Sequence, residues 1–291
     1  MKTHTISSKQ LYRQVYQALL PAIHEPRECQ AMAQQLLGHY LQLNAVRMVL
    51  DEPITPSPAQ RQLLSTAIER LQKQEPIQYV LGKAPFLGRD FRVSPAVLIP
   101  RPETETLVQH IIDENPATNM RVLDIGTGSG CIAITLQLEL PQATVQAIEV
   151  DPEALQVAQS NAQQLGATVD FIQADILHES LPAQRWDIIV SNPPYVLIAE
   201  QAQMQQRVLA YEPAKALFVP DEDPLVFCKK IAALAPQHLT PTGRLYLEIN
   251  EAWGTAVANL WMNAGLEKVC IQQDLHGKDR WVEGTVTHNR A

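Results

Sequence analysis

Between Arg121 and Ser191 the chain repeats one unit, a short apolar run of the kind that forms a buried strand followed by a stretch with helical spacing. The runs are RVLDI (121–125), TVQAIEV (144–150), VDFIQ (169–173) and WDIIVS (186–191); one intervening helix reaches about Leu140 and another opens at Pro152. Short apolar strands separated by helices belong in a parallel sheet covered on both faces. RLYLEIN (244–250), Lys268–Gln273 and RWVEGTV (280–286) bring the count to seven. Only a short polar loop separates the last two, which predicts an antiparallel pair at the sheet edge. The fold class is therefore α/β.

The chain ahead of this pattern is of another kind. Leu11, Val15, Tyr16, Leu19 and Leu20 form one apolar stripe, and Cys29, Met32, Ala33, Leu36, Leu37, Tyr40 and Leu41 form a second at i, i+3, i+4 spacing. Ser57-Pro58 signals a helix start, and Leu63, Leu64, Ala67, Ile68 and Leu71 supply a further buried face. Residues 1–75 are expected to form a helical bundle domain, 76–97 a β-hairpin linker, and 98–291 the α/β domain. The bundle carries 8 basic and 6 acidic residues, net +2, whereas the remainder of the chain is net −10. An acidic body of that size repels nucleic-acid phosphates. Hydrophobic residues make up 46% of 291, enough for a substantial core, yet no uninterrupted apolar run is long enough for a membrane span. The opening MKTHTISSKQLYRQ has no apolar run like that of a secretory signal, so the chain is expected in the cytoplasm. Four scattered cysteines and eight histidines without ligand spacing predict neither a disulfide framework nor a metal site.

The first chemical constellation is Asp124-Ile125-Gly126-Thr127-Gly128-Ser129-Gly130, a strand running into a glycine-rich turn ahead of a helix. Glycines let the backbone approach a ligand closely. Glu149 ends the next strand, where a carboxylate can accept both hydroxyls of a ribose. Together they point to an adenosine-containing cofactor. A dinucleotide site spaces its glycines G-x-G-x-x-G for a pyrophosphate, whereas G-T-G-S-G preceded by Asp124 suits the ammonium end of a methionine moiety. The spacing thus favours S-adenosylmethionine over a nicotinamide dinucleotide. Asp151, two residues past Glu149, is read as the N-cap of a helix whose first position is Pro152.

The second constellation is Ser191-Asn192-Pro193-Pro194-Tyr195, directly after an apolar strand. Ligands of open parallel sheets bind beyond the carboxyl ends of the strands, so this loop and the glycine turn are expected to share a crevice. The Asn192 side-chain oxygen can accept one hydrogen of a planar –NH2 group and a carbonyl of the Pro-Pro segment the other. Tyr195 adds a flat face for stacking. No histidine or further carboxylate accompanies the loop in sequence, which predicts catalysis by positioning and electrostatics without a dedicated general base.

Asn-Pro-Pro-Tyr after the fourth strand of such a fold resembles the amino-group methyltransferases. Leu98-Ile99-Pro100-Arg101-Pro102-Glu103-Thr104-Glu105, with Gln78-Tyr79 and Phe86-Leu87-Gly88 ahead of it, resembles the protein glutamine N5-methyltransferases of the HemK/PrmC family. The likeness runs from about Pro76 to Val286 and includes Leu247-Glu248-Ile249 and Asp279-Arg280; residues 1–75 share only length and helical character. It implies a class I S-adenosylmethionine-dependent fold with a Rossmann-like seven-stranded sheet. It also implies methylation of the glutamine in the Gly-Gly-Gln motif of class I peptide chain release factors. On the family pattern Gly126 to Gly130 form the methionine-side loop, Glu149 binds the ribose, and Asp175 and Ile176 lie beside the adenine. Asn192 to Tyr195 would hold the substrate glutamine, with Asn192 also near the cofactor. Arg101 and Glu103 either pair at a helix start or line the substrate site; both readings stay open. The family favours aspartate at 149, an aromatic at 176 and glycines near Phe218–Pro224, so this chain departs at all three.

Other acceptors remain open: a ribosomal-protein glutamine, a nucleic-acid adenine, or a cofactor-binding module without turnover. The acidic α/β part and the lack of a long target-recognition insertion count against nucleic acid. The bundle is the expected docking part for a protein substrate, and the enzyme is expected to be a monomer that contacts neither nucleic acid nor membrane.

Overall fold

The computed structural model describes residues 5–115 and 119–286; the first four residues of the opening segment lie outside it. Two compact units result, one holding residues up to 83 together with 205–211, the other holding the rest. Among the described residues no helix is long and apolar enough to cross a membrane.

The first unit consists of α1 (Ser8–Ile23), α2 (Pro26–Leu41), α3 (Ala45–Val49), α4 (Pro58–Gln72) and α5 (Ile77–Leu81), joined by the short helical segment Gln206–Tyr211. Its core is Val15, Leu19, Met32, Leu36, Leu37, Leu64 and Leu71, the inward positions of the helical stripes. A capping box starts α4: the Gln60 N–H donates to Ser57 Oγ (3.2 Å), and the Ser57 N–H donates to Gln60 Oε1 (2.9 Å). The sequence suggests a hairpin from Ile77 onward, but residues 77–81 are helical. Pro76 sits at the N-cap, Gly82 closes the turn in the left-handed region (φ 69°), and Arg70 donates to the Val80 and Tyr79 carbonyls (3.3 and 3.1 Å). The hairpin itself is shorter, Lys83–Phe86 against Arg89–Arg92, with Phe86 and Phe91 edge to face at 5.9 Å.

The second unit contains α6 (Pro102–Glu114), β1 (Arg121–Ile125), α7 (Cys131–Glu139), β2 (Thr144–Glu149), α8 (Pro152–Leu165), β3 (Val169–Gln173), β4 (Trp186–Ser191), α9 (Val226–His238), β5 (Leu239–Glu248), α10 (Gly254–Asn263), β6 (Glu267–Gln273) and β7 (Asp279–Thr285). The strands form one seven-stranded sheet in the order β3-β2-β1-β4-β5-β7-β6. β1 to β5 run parallel, and β7 is antiparallel to both β5 and β6. β5 begins five residues ahead of the expected run, because the polar TPTG stretch is carried through an irregularity between Leu239 and Arg244.

Alternate side chains go to opposite faces. Val122, Val145, Ala147, Ile188 and Val190 pack in one core, while Leu123, Ile125, Ile148, Ile189, Leu245 and Leu247 pack in the other. The chain winds outward from β1 through β2 to β3, then returns to the far side of β1 as β4. The reversal falls between β1 and β4, and there the connections leave opposite faces and open a crevice at the strand ends. The Ser191 hydroxyl donates to the Ile125 carbonyl (2.7 Å), tying those two ends together.

Candidate active site

The loops leaving β1, β2, β3 and β4 line one crevice of about 280 Å³, within the second unit. Its walls include Gly126 to Ser129, Glu149, Asp175, Ile176, Asn192, Pro193, Pro194, Arg101 and Thr104. Asp124, Gly130, Glu103 and Tyr195 are not among the lining residues; each lies behind or beside a wall.

The glycine loop hangs on the end of β2: the N–H groups of Gly126 and Thr127 donate to the Ile148 carbonyl (2.8 and 3.0 Å). Gly126 and Gly128 have φ of +74° and +55°, and a Cβ at either meets no protein atom within 4 Å. At these two positions glycine answers a backbone requirement. Gly130 answers crowding as well, since a Cβ there falls 2.7 Å from Ile134 Cδ1 and 3.2 Å from Ala158 Cβ. Asp124 holds the turn from behind, its Oδ2 accepting from the Thr127 hydroxyl (2.7 Å) and the Ala133 N–H (3.2 Å). Its Oδ1 has no partner among the described residues, and burial pushes its carboxyl up to about 7, with the Glu149 charge adding to the effect. Buried Asn161 on α8 donates to the Ser129 carbonyl (2.8 Å) and exchanges hydrogen bonds with the Arg92 backbone (2.7 and 3.0 Å). Sequence reasoning missed this anchor, for nothing in a helical NAQQL run marks one amide as buried.

Glu149 accepts the Gly128 N–H (2.9 Å) and the Asp151 N–H (3.0 Å), and burial raises its carboxyl above the usual range. Asp151 Oδ1 caps α8 by accepting from Glu153 (2.7 Å) and Ala154 (3.4 Å), while its other oxygen pairs with Lys215 at the rim. On β3's loop the His178 ring nitrogen bonds to Asp175 (2.8 Å) and lowers its carboxyl. Cys131 also lines the crevice, but burial pushes its thiol up to about 12, so it is a packing group rather than a nucleophile.

Across the crevice, the Asn192 Nδ2–H donates to Thr104 Oγ1 (3.0 Å), and the Thr104 hydroxyl donates to Glu248 Oε2 (2.6 Å). The Tyr195 hydroxyl donates to Glu248 Oε1 (3.2 Å). The tyrosine therefore turns its polar end onto a buried carboxylate, and burial drives its hydroxyl far above the ordinary tyrosine value. Glu248 is the carboxylate absent from the loop's own sequence; the signal was an acid closing the otherwise apolar LYLEI run. Arg101 and Glu103 do not pair with each other. Arg101 bonds Glu212 (2.6 Å), a side chain 1% exposed whose other oxygen accepts the Ile99 N–H (3.2 Å). Glu103 lies 3.9 Å from Arg280. The Phe218–Pro224 loop, which lacks the family's glycines, starts as a two-residue strand parallel to Val196–Leu197 and turns through an Asp223 N–H to Pro220 carbonyl bond (3.1 Å).

Residues 102–218 match the Methyltransferase small domain family and residues 10–82 the PrmC N-terminal domain family. A release factor glutamine methyltransferase of Bacteroides thetaiotaomicron is 45% identical over 262 residues, covering 90% of this chain and 94% of the relative. The chain belongs to the release factor glutamine methyltransferases. A second member, from Flavobacterium psychrophilum, is 41% identical over 94% of this chain and 97% of its own. Among solved structures, a methyltransferase from Pyrococcus furiosus covers 77% of this chain and 100% of its own, with a TM-score of 0.53 at 18% identity, a likeness of fold. The family's cofactor is S-adenosylmethionine, and the crevice fits it on its own observations. It offers left-handed glycines whose Cβ positions are open, a carboxylate held by two backbone N–H groups, and the apolar side chain of Ile176 in one wall.

Proposed function

We propose that this enzyme transfers a methyl group from S-adenosylmethionine to the side-chain amide nitrogen of the glutamine in the Gly-Gly-Gln motif of class I peptide chain release factors. One observation carries the reading: Asn192, Pro193 and Pro194 line the same crevice as the glycine loop and Glu149, so amide acceptors and cofactor wall face one space. The named relatives favour a release factor over a ribosomal protein or an adenine as acceptor.

Gly126 to Gly130 would hold the methionine end, with Asp124 fixing the loop from behind; Glu149 would take the ribose hydroxyls, and Asp175 and Ile176 would border the adenine. When bound, the cofactor supplies an electrophilic methyl. An amide nitrogen is a poor nucleophile because its lone pair is shared with its carbonyl, so this chain's task is to place and polarise it. Asn192 Oδ1 and the Pro193 carbonyl accept its two N–H bonds, which fixes the amide plane and favours a more pyramidal nitrogen. Tyr195 and Pro194 shape the acceptor side, and Arg101, clamped by Glu212, supports the wall next to it. Glu103, which faces Arg280 at 3.9 Å and does not line the crevice, is assigned to substrate approach. Glu248 has both oxygens engaged by hydroxyls and does not line the crevice, so the proton that the methylated nitrogen loses passes to water rather than to this carboxylate, and no dedicated general base is assigned.

The weakly basic helical unit is assigned to docking the folded release factor, and the enzyme to the cytoplasm as a monomer. Removing that unit is expected to raise KM for the folded factor more than for a short glutamine peptide; equal effects on both would reject the docking role. The function is tested by incubating the protein with labelled S-adenosylmethionine and unmodified release factor, then mapping the label by peptide mass spectrometry. One methyl on the Gly-Gly-Gln glutamine is expected. Cofactor binding without label there would reject the assignment of acceptor.

A further inference from the structure

We infer that Glu248, acting through Thr104, is a positioning residue that sets which end of the Asn192 side-chain amide faces the crevice. A primary amide looks nearly the same from either side, yet only its oxygen can accept an N–H bond. Asn192 is therefore useful to a glutamine amide in one of two orientations related by a flip, and something outside the residue must choose.

The chain of bonds behind the loop makes that choice. Glu248 ends β5, is 3% exposed, and receives a hydroxyl on each oxygen, Thr104 on Oε2 at 2.6 Å and Tyr195 on Oε1 at 3.2 Å. An ionised carboxylate has no hydrogen to give, so Thr104 must spend its single hydroxyl hydrogen on it. What remains of Thr104, 2% exposed, is acceptor capacity only, and the neighbour that uses it is the Asn192 Nδ2–H at 3.0 Å. The polarity runs Asn192 to Thr104 to Glu248, and it leaves Oδ1, the only acceptor on the Asn192 side chain, outside the chain and available to the crevice. If the carboxylate is removed, the Thr104 hydroxyl is free to donate to Asn192 Oδ1, and the amide turns its NH2 toward a substrate that itself offers N–H groups.

The charge state suits this task. Burial pushes the Glu248 carboxyl up to about 7; the Thr104 and Tyr195 hydroxyls and Arg280 hold it down, and the Glu103 charge pushes it up, so above that value it accepts only. A buried carboxylate of this kind costs stability in its charged form, so Glu248→Met removes that cost, offset by the acceptor that the Tyr195 hydroxyl loses. Activity and stability are thus expected to move apart, which a purely structural role does not predict.

The inference rests on the functional reading only for its effect on turnover. The test measures kcat, KM and melting temperature at pH 8 for Glu248→Met, Thr104→Val and Thr104→Ser with S-adenosylmethionine and release factor. Glu248→Met and Thr104→Val are expected to lose on the order of tenfold to a hundredfold in kcat, as misorientation of a positioning group does. KM for the cofactor and the melting temperature of Glu248→Met should be held or the latter raised, and Thr104→Ser should keep wild-type kcat. In an Asn192→Ala background Glu248→Met should add no further loss. Wild-type kcat in Glu248→Met, a loss of kcat that only tracks a fall in melting temperature, or an undiminished loss in the Asn192→Ala background would each overturn the inference. A wild-type protein that puts no label on glutamine would instead reject the functional reading. Neutron diffraction of the ligand-free protein then decides the inference alone: the Thr104 hydroxyl hydrogen directed at Glu248 supports it, and directed at Asn192 overturns it.

Discussion

The two walls of the crevice are built on opposite principles. On the cofactor wall, carboxylates are held mostly by nearby backbone N–H groups, Glu149 by those of Gly128 and Asp151, and Asp124 by that of Ala133 together with the Thr127 hydroxyl. Across from it, Asn192 and Tyr195 are held by side chains from remote parts of the sequence, Thr104 from α6 and Glu248 from β5. A wall made of local backbone is stiff and generic, suited to a ligand that is the same in every turnover. One made of converging side chains can be aimed, as the orientation of a single amide demands.

The comparison breaks most visibly at Asn192. Truncating it to alanine removes one of the two acceptors proposed for the substrate amide, and kcat should fall on the order of 10²–10³-fold, as loss of one preorganised polar group does at other sites. Steady-state assays with labelled cofactor measure it, and a loss under tenfold would place the catalytic grip elsewhere. On the stiff wall the largest effect is on folding. Gly130→Val puts a Cβ against Ile134 and Ala158 at φ +82°, and should cost about 2–4 kcal/mol of stability from strain and overpacking, read by denaturant melts.

Glu149→Ala sharpens the division from the other side. Losing the carboxylate assigned to the ribose hydroxyls should weaken cofactor binding by about 10- to 100-fold, roughly the worth of one charged hydrogen bond. Turnover at saturating cofactor should change far less. A kcat loss as large as that of Asn192→Ala would show that the walls do not divide the work.

A pH dependence is shared by both walls. Asp124 and Glu248 ionise at about 7 in the folded protein, against 3.8 and 4.5 in the unfolded chain. Between those values the native state keeps protons that the unfolded chain has lost, so stability falls as pH rises through the window. Melting temperature of the ligand-free protein should be higher at pH 5.5 than at pH 8. Glu248→Met should reduce the slope, and an unchanged slope would mean that this carboxyl is not shifted upward.

What the sequence made legible follows the same division. The glycine turn, Glu149 and the Asp151 cap announce themselves because their partners lie within a few residues or on the adjacent strand. β1 to β4 are legible for a related reason, as each is an apolar run bounded by turn residues. The bonds made by Glu248, Thr104, Asn161 and Glu212 were not, since their partners lie far along the chain; Thr104 and Glu248 are separated by 144 positions. The short helix at Ile77–Leu81 was hidden by its β-branched and aromatic residues, whose strand preference gave way to Pro76, Gly82 and the Arg70 bonds. The early start of β5 was hidden by a polar stretch that continues the pairing only through an irregularity.

The most direct test of the divided crevice is a calorimetric titration of Asn192→Ala with S-adenosylmethionine, beside wild type and Glu149→Ala. Asn192 lines the same crevice as the glycine loop but is assigned chiefly to the acceptor, so the account predicts an affinity within roughly threefold of wild type, under 1 kcal/mol. Glu149→Ala should lose far more. An Asn192→Ala affinity as weak as that of Glu149→Ala would contradict the account, because the two walls would then be one cofactor site with no separate hold on the glutamine.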